Sequence, residues 1–288
     1  MKGNILKLLF LRFQFSLLRM EDKGNSKIIY FKEDTYQTNP NTPRLFMDKM
    51  VFNSRIVFLI KFIGHVFKAS SKARKGQYNT ADWAKSSNDI FKLIERCGGR
   101  FSLSGLDNIA KAGGPVIFVS NHMSILETMI FPGIIAPRKE TTFVVKENLI
   151  TYPVFGAVMR SRNPIVVSRS NSREDLMTVL TKGQELLSKG ISIVIFPQHT
   201  RNVQFKPEEF NSLAVKLAAK AGVKVVPIAI KTDFWTNGKY LKDFGAIHRD
   251  RTIHMAFGEP MPVVGTGKEE HKKIVDFIAK HLERWNIE

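Results

Sequence analysis

The sequence predicts an α/β fold in which a largely parallel sheet is flanked by helices and preceded by an N-terminal amphipathic helical segment. From about residue 100 onward, short apolar runs rich in β-branched residues alternate with longer stretches of helical periodicity. Histidine and arginine residues follow several of the apolar runs, where buried strands would reach the sheet edge. The first hundred residues lack this alternation, and their apolar stretches carry basic residues.

The leader, residues 1–44, joins a basic apolar start to a polar linker. The first twenty residues contain four basic side chains and no acidic one, and residues 39–43 form a strong helix breaker. No apolar run reaches the roughly 18 residues that a membrane-spanning helix needs, and no small-residue cleavage site follows. We therefore expect a helix that lies in the membrane interface.

Residues 45–98 are predicted to be an amphipathic helical region at the membrane interface. On a helix, Lys61, His65, Lys68 and Lys72 form one polar stripe beside a wide apolar face. An apolar face next to basic residues is typical of a membrane-associating helix, which gains from acyl-chain contact and from anionic lipid. The alternative is a helix docked on its own domain.

Residues 99–288 are predicted to form the α/β domain. Its candidate strands are residues 116–120, 142–145, 165–168, 191–196, 223–230 and 252–257. Its candidate helices are residues 125–135, 147–159, 173–188, 208–221 and 268–285. His122, Arg169 and Arg201 lie at the ends of candidate strands, where sites in such sheets gather.

The composition narrows the kinds of partner. The chain has 288 residues, and 44 basic against 26 acidic residues give a net charge of +18. Such a surplus suits nucleic acid, an anionic membrane or a phosphorylated substrate. No nucleic-acid-binding motif appears, so we expect no nucleic acid partner. The single cysteine and the scattered histidines give no metal-ligand spacing, so no metal is expected either.

His122 and Glu127 form the first candidate catalytic pair. A histidine where a buried strand ends, with a carboxylate five residues later, can act as a general base for a hydroxyl nucleophile. The carboxylate would hold the ring in one tautomer and stabilise its cation. The alternative is structural, because Ser124 and Glu127 also match a capping box at the start of the next helix.

Five sequence blocks occur in a fixed order along the chain. They are Asn121-His122-x4-Glu127, Lys146-Glu147-Asn148-Leu149 with Pro153 and Gly156, Pro164-Ile165-Val166-Val167-Ser168-Arg169, Phe196-Pro197-Gln198-His199-Thr200-Arg201 and Val226-Pro227-Ile228. This series resembles the glycerolipid acyltransferase family, in its 1-acylglycerol-3-phosphate acyltransferase branch, across roughly residues 100 to 260.

The resemblance assigns expected roles. It implies that His122 is the base and Glu127 its partner, at a position where the family normally has aspartate. It also implies a phosphate-binding role for Arg201 and, by position, for Lys146. Arg169, at the end of a β-branched run, is our own addition, because guanidinium groups bind phosphate oxygens in bidentate fashion. The expected motif-supporting residues are Asn121, Phe196, Pro197, Gln198, His199, Thr200 and Pro227.

The fourth block departs from the family pattern F-P-E-G-T-R at Gln198 and His199. The amide keeps some of the hydrogen bonds of a carboxylate but loses its charge. Histidine replaces a turn glycine, and histidine visits positive φ more often than most residues. The departure bears on acceptor identity more than on reaction type.

The resemblance implies transfer of a fatty acyl group from acyl-CoA or acyl-carrier protein to the free hydroxyl of 1-acylglycerol-3-phosphate, giving phosphatidic acid without a cofactor. The expected partners are a membrane lipid surface, a lysophospholipid acceptor and an acyl thioester donor. The expected location is the cytoplasmic face of a membrane, as a peripheral or monotopic protein. Two alternatives remain: a different lyso-lipid acceptor, or a non-catalytic basic protein that binds membranes or nucleic acid.

Overall fold

The computed structural model describes residues 28–50, 54–198, 200–239 and 242–287. The predictions for residues 1–27 and for His199 lie outside these ranges.

Eight strands form one sheet in the described part of the chain. They are β1 (Tyr36–Gln37), β2 (Arg100–Ser104), β3 (Val116–Ser120), β4 (Thr141–Lys146), β5 (Ile165–Val167), β6 (Ser192–Ile195), β7 (Lys224–Lys231) and β8 (Thr252–Phe257). Their order across the sheet is β1-β2-β8-β7-β3-β6-β4-β5.

The pairing confirms the predicted largely parallel sheet. Neighbours pair in parallel throughout, except for β1 with β2 and β7 with β8. Every residue of β3 and β6 is buried, as expected of central parallel strands covered on both faces. The carboxyl ends of β3, β4, β5, β6 and β7 therefore lie along the same edge of the sheet.

Ten α-helices are described: α1 (Phe46–Met50), α2 (Ile56–Arg74), α3 (Thr80–Arg96), α4 (Asn108–Lys111), α5 (Leu126–Ile135), α6 (Asn148–Thr151), α7 (Phe155–Arg160), α8 (Ser172–Ser188), α9 (Leu213–Ala221) and α10 (Lys268–Ile287). One core contains residues of α3 and α5, and a second core contains residues of α8, α9 and α10. No helix in the described ranges has both the length and the apolar character needed to cross a bilayer.

Two helix predictions were wrong in extent. The predicted helix 147–159 is broken into α6 and α7, because Pro153 cannot donate a backbone hydrogen bond and its ring restricts the residue before it. Tyr152 accordingly adopts an extended ψ of 132°. The predicted helix 208–221 starts only at Leu213, after a short 3₁₀ turn at Pro207–Glu209.

The predicted polar linker contributes to the fold. β1 lies within it and pairs with β2, which the sequence had not indicated as a strand. Tyr36 and Thr38 both donate hydroxyl hydrogen bonds of 2.7 Å to Oε1 of Glu95, a buried residue of α3. These bonds fix the linker to the edge of the domain.

The α2 helix has two apolar faces. Phe58 and Phe62 are buried and meet Trp235 edge to face, with ring centroids 4.9 and 5.0 Å away. Ile56, Ile60, Ile63 and Phe67 are instead exposed. The α2 helix therefore docks on its own domain, which was the alternative to a membrane-interface helix. It also presents an apolar face outward.

Candidate active site

His122 lies just beyond the carboxyl end of β3, and its ring is held by Glu127. Nδ1 of His122 lies 2.8 Å from Oε1 of Glu127. The Glu127 side chain is 0% exposed, whereas the His122 side chain is 14% exposed. The pair is thus placed with its carboxylate inside the protein and its imidazole at the surface of the site.

Glu127 also accepts hydrogen bonds from four groups besides His122. The backbone N–H groups of Met123 and Ser124 donate to Oε1 at 2.8 and 2.9 Å. The hydroxyls of Ser124 and Thr232 donate to Oε2 at 3.0 and 2.7 Å. The bond from Ser124 N–H is one half of a capping box, so the structural and the base-partner interpretations describe the same carboxylate.

These bonds keep Glu127 ionised inside the protein. Burial raises the pKa of its carboxyl group, but the hydrogen bond and charge of His122, with the bonds from Thr232 and Ser124, hold that pKa below its ordinary value of 4.5. An ionised carboxylate can only accept hydrogen bonds, so Nδ1 of His122 carries the ring proton. In the neutral ring Nε2 is then the unprotonated nitrogen, and it can accept a proton from a substrate hydroxyl.

One face of the His122 ring stacks on the ring of Phe196. The two rings stack with centroids 4.2 Å apart and planes at 20°. Phe131 and Phe143 stack behind Phe196, with centroids 6.1 and 6.3 Å away. An aromatic layer therefore leaves the imidazole little freedom to rotate away from Glu127.

The backbone of His122 is held at both its polar groups by the turn after β6. Its N–H donates to Oε1 of Gln198 at 2.7 Å, and its C=O accepts from the N–H of Asn202 at 2.9 Å. Gln198 is 3% exposed, and its Nε2 has no hydrogen-bond partner among the described residues. Asn121 supports the other side by exchanging two 2.9 Å hydrogen bonds with the backbone of Ile230.

Arg201 is brought next to the His122 turn and is paired. Its Nη1 lies 2.6 Å from Oδ1 of Asp243, and the side chain is 17% exposed. The same Nη1 reaches Oδ1 of Asn237 at 3.5 Å, while Nδ2 of Asn237 donates to the C=O of Met123 at 3.1 Å. Asn237 therefore links the arginine to the turn that carries the candidate base.

Lys146 and Arg169 lie progressively further along the same edge. Lys146 ends β4, two strands from β3, and Arg169 follows β5, three strands from β3. At a strand spacing of about 4.8 Å these offsets are roughly 10 and 14 Å. Lys146 is exposed and has no ion pair among the described residues. Arg169 has a positive φ of 63°, and its backbone N–H donates to the carboxylate of Asp175. The structure thus groups His122, Glu127, Gln198 and Arg201, and it leaves Arg169 apart.

Two motif-supporting residues have mainly structural contacts. Thr200 accepts a 2.8 Å hydrogen bond from the ammonium of Lys242. Pro227 lies within β7 opposite Val119, and its C=O accepts from the N–H of Gly258 at 2.8 Å. No group of three or more potential metal ligands is found in the part of the chain that the structure describes.

Sequence reasoning missed Thr232, Asn237 and Asp243. Thr232 directly follows β7, whose carboxyl end shares the site edge, so the strand-end rule would have indicated it. Asn237 and Asp243 lie in the loop beyond, more than 100 residues from His122, and no local pattern marks them.

Comparison with known proteins gives the family. An acyltransferase family model matches residues 100–231. A 1-acyl-sn-glycerol-3-phosphate acyltransferase of Pseudomonas aeruginosa is 31% identical over 186 residues, which are 65% of this chain and 68% of that protein. A chloroplastic 1-acyl-sn-glycerol-3-phosphate acyltransferase of Arabidopsis thaliana is 30% identical over 131 residues, 46% of this chain and only 36% of that protein.

A solved structure shares the fold. The 1-acyl-sn-glycerophosphate (LPA) acyltransferase of Thermotoga maritima aligns with a TM-score of 0.58 and 20% identity, covering 84% of this chain and 93% of that one. The family model and the Pseudomonas aeruginosa relative confirm the resemblance drawn from the five sequence blocks. This chain is an acyltransferase and belongs to the 1-acyl-sn-glycerol-3-phosphate acyltransferase family.

Proposed function

We propose that this enzyme transfers a fatty acyl group from an acyl thioester to the free hydroxyl of 1-acylglycerol-3-phosphate, giving phosphatidic acid. The observation that carries the proposal is the 2.8 Å contact of His122 Nδ1 with the buried Glu127 carboxylate, which makes Nε2 the proton-accepting nitrogen of the neutral ring. Relatives named for this acceptor support the choice of substrate.

The proton transfers of the proposed reaction use His122, just beyond the carboxyl end of β3, and Glu127, at the start of α5. Nε2 of His122 removes the hydroxyl proton as the oxygen attacks the thioester carbonyl carbon. The tetrahedral intermediate then collapses, the C–S bond breaks, and the leaving thiolate takes the proton from the imidazolium. Glu127 stabilises the ring while it is charged, in the way a triad carboxylate does.

No acyl-enzyme is required. Cys97 is fully buried, and burial raises the pKa of its thiol to about 11, so the thiolate that a nucleophile needs is scarce at neutral pH. Direct attack by the acceptor hydroxyl is the simpler route.

Arg201 and Lys146 are the proposed contacts for the acceptor phosphate. Asp243 holds Arg201 through Nη1, so the remaining guanidinium N–H groups keep a fixed direction. Lys146 ends the neighbouring strand β4 with its ammonium exposed. Arg169, three strands from β3 on the same edge, is proposed as a further phosphate contact.

The outward faces of α1 and α2 support binding to a lipid surface. Seven large apolar side chains are exposed there, and we call them the interfacial surface: Phe46, Met47, Met50, Ile56, Ile60, Ile63 and Phe67. Basic residues of the same helices flank it, among them Lys49, Lys61, Lys68 and Lys72. Apolar insertion and attraction to anionic lipid act together in such a surface, as at a cytoplasmic leaflet.

The function is tested with the full chain, lysophosphatidic acid and two donors, acyl-CoA and acyl-carrier protein. We expect release of free thiol and a lipid product heavier by one acyl chain with at least one donor. Absence of product with both donors contradicts the proposal, and the donor that works identifies the thioester.

The interfacial surface gives a separate prediction. Ile60→Glu and Phe67→Glu should each lower partitioning onto anionic vesicles by about tenfold or more, because each removes one large apolar group from the lipid contact. Met177→Glu is the matched control, since Met177 is also exposed, at 54%, but lies on α8. Vesicle co-sedimentation measures the partitioning, and equal losses in all three variants would contradict the placement.

A second acceptor is favoured by one observation, the neutral amide of Gln198 beside His122. Gln198→Glu keeps an oxygen acceptor for the N–H of His122 and restores the acidic residue of the pattern F-P-E-G-T-R. If the amide has changed the acceptor, this variant should raise kcat/KM for lysophosphatidic acid about tenfold relative to a neutral monoacylglycerol acceptor, because the carboxylate restores the charge that orients neighbouring groups. If the unchanged enzyme prefers another lyso-lipid in a panel of acceptors, the alternative replaces lysophosphatidic acid.

A further inference from the structure

Val154 occupies a strained backbone conformation between α6 and α7. Its φ is 69° and its ψ is −64°, and the N–H of Phe155 donates to the C=O of Pro153 at 2.8 Å. These values define a γ-turn of the rare form with positive φ. A β-branched residue is a particularly poor occupant, because its side chain crowds the backbone at positive φ. Such a conformation persists only where surrounding contacts impose it.

The contact that holds this turn comes from α2. Ser70 is 2% exposed, and its hydroxyl donates a 2.6 Å hydrogen bond to the C=O of Val154. Ser70 lies 84 residues from Val154 in sequence, so local chain preference does not create the bond. The Ser70 hydroxyl is buried and Val154 is partly buried, so loss of this hydrogen bond has a cost and the bond resists relaxation of the turn.

Backbone contacts join α6 and α7 on either side of Val154. The N–H of Gly156 donates to the C=O of Tyr152 at 2.9 Å. A Cβ atom at Gly156 would lie 2.5 Å from the carbonyl oxygen of Ile150, so only glycine allows α7 to approach α6 this closely. Residues 147–156 therefore form one continuous piece, and a change at Val154 alters the position of α6 relative to α7.

This piece connects the proposed phosphate contact with the proposed lipid contact. It follows directly from Lys146, and at its start the N–H of Glu147 donates to the C=O of Val167 at 2.9 Å. At its other end α7 packs against α2, whose outer face belongs to the interfacial surface. Ser70 faces inward on that same helix.

We infer that Ser70 is a positioning residue for acceptor binding: its hydroxyl holds the strained Val154 turn and so fixes residues 147–156, next to Lys146, relative to the helix that lies on lipid. The inference rests on the proposed function. Ser70 touches no substrate itself and acts through the segment that it holds.

Relief of the strain provides the test. In Ser70→Ala the turn loses its clamp and relaxes toward negative φ, so we expect the KM for lysophosphatidic acid to rise about tenfold, the value of one such interaction. The kcat and the KM for the acyl thioester should stay within about twofold, since His122 is untouched. Glycine adopts positive φ without strain, so Val154→Gly should retain the wild-type KM, and Ser70→Ala with Val154→Gly should restore it to within about threefold.

Ser161→Ala is the matched control. The Ser161 hydroxyl donates to the C=O of Val158 at 2.7 Å, a serine-to-carbonyl bond local to the end of α7. This variant should leave all three constants unchanged. Thermal unfolding of every variant is measured alongside the kinetics in micelles of fixed composition.

The possible results of these assays distinguish a failure of the inference about Ser70 from a failure of the proposed function. An unchanged acceptor KM in folded Ser70→Ala overturns the inference, and so does a raised KM that Val154→Gly fails to rescue. If Ser70→Ala does not fold, the double variant is compared with Val154→Gly, and a difference above about threefold in acceptor KM overturns the inference. Failure of the unchanged enzyme to acylate lysophosphatidic acid overturns the proposed function, and the inference with it.

Discussion

Replacement of His122 by alanine is expected to lower the rate of acyl transfer by about 100- to 10,000-fold, the range that a general base contributes. The loss should fall on chemistry, because Nε2 of the ring is the proposed proton acceptor and the ring makes no contact that holds the sheet together. Its polar contact is Nδ1 to Glu127, and its packing contact is Phe196. Thiol release at saturating donor and acceptor measures the rate.

His281 offers a matched control for this variant. It is a half-buried histidine on α10, and its Nδ1 lies 2.8 Å from the C=O of Phe277. This helix packs in the second core, with α8 and α9. His281→Ala should transfer acyl groups at the wild-type rate. A rate for His122→Ala within about threefold of that control would refute His122 as the base.

Replacement of Glu127 should affect both rate and stability, and two variants separate the effects. Glu127→Gln retains an oxygen for the N–H groups of Met123 and Ser124 but lacks the charge that stabilises the imidazolium, so we expect at least about a 100-fold lower rate. Glu127→Ala also leaves those two buried N–H groups without an acceptor. Because each such loss costs about 1–3 kcal/mol, the free energy of unfolding should fall by about 2–6 kcal/mol.

The lowered pKa of Glu127 gives this stability a pH dependence. A carboxyl group whose folded pKa lies below its unfolded value stabilises the fold above the unfolded value, and this contribution is lost as pH falls through the folded pKa. The wild type should therefore lose stability relative to Glu127→Gln below about pH 4.5. Unfolding midpoints of both proteins measured from about pH 7 to pH 3 test this, and a constant difference over that range would contradict it.

Much of the fold could be read from the sequence because buried parallel strands leave a local signal. The mainly apolar runs at β3 and β8 were placed at their observed bounds, Val116–Ser120 and Thr252–Phe257. The two-residue strand β1 carries too few residues for any periodicity and exists only because it pairs with β2. Pro153 marks the break between α6 and α7, but the helical periodicity on both sides of it led to the prediction of one continuous helix.

The sequence by itself indicated the contact between His122 and Glu127, because the five-residue spacing across one strand-to-helix turn brings the two side chains within reach of each other. It also determined the family, through motifs that are local. Only the tertiary structure decided the rest of the site. Thr232 reaches Glu127 across 105 residues, and Asp243 reaches Arg201 across 42. The order of strands, which no single segment encodes, set Arg201 beside His122 and left Arg169 three strands away.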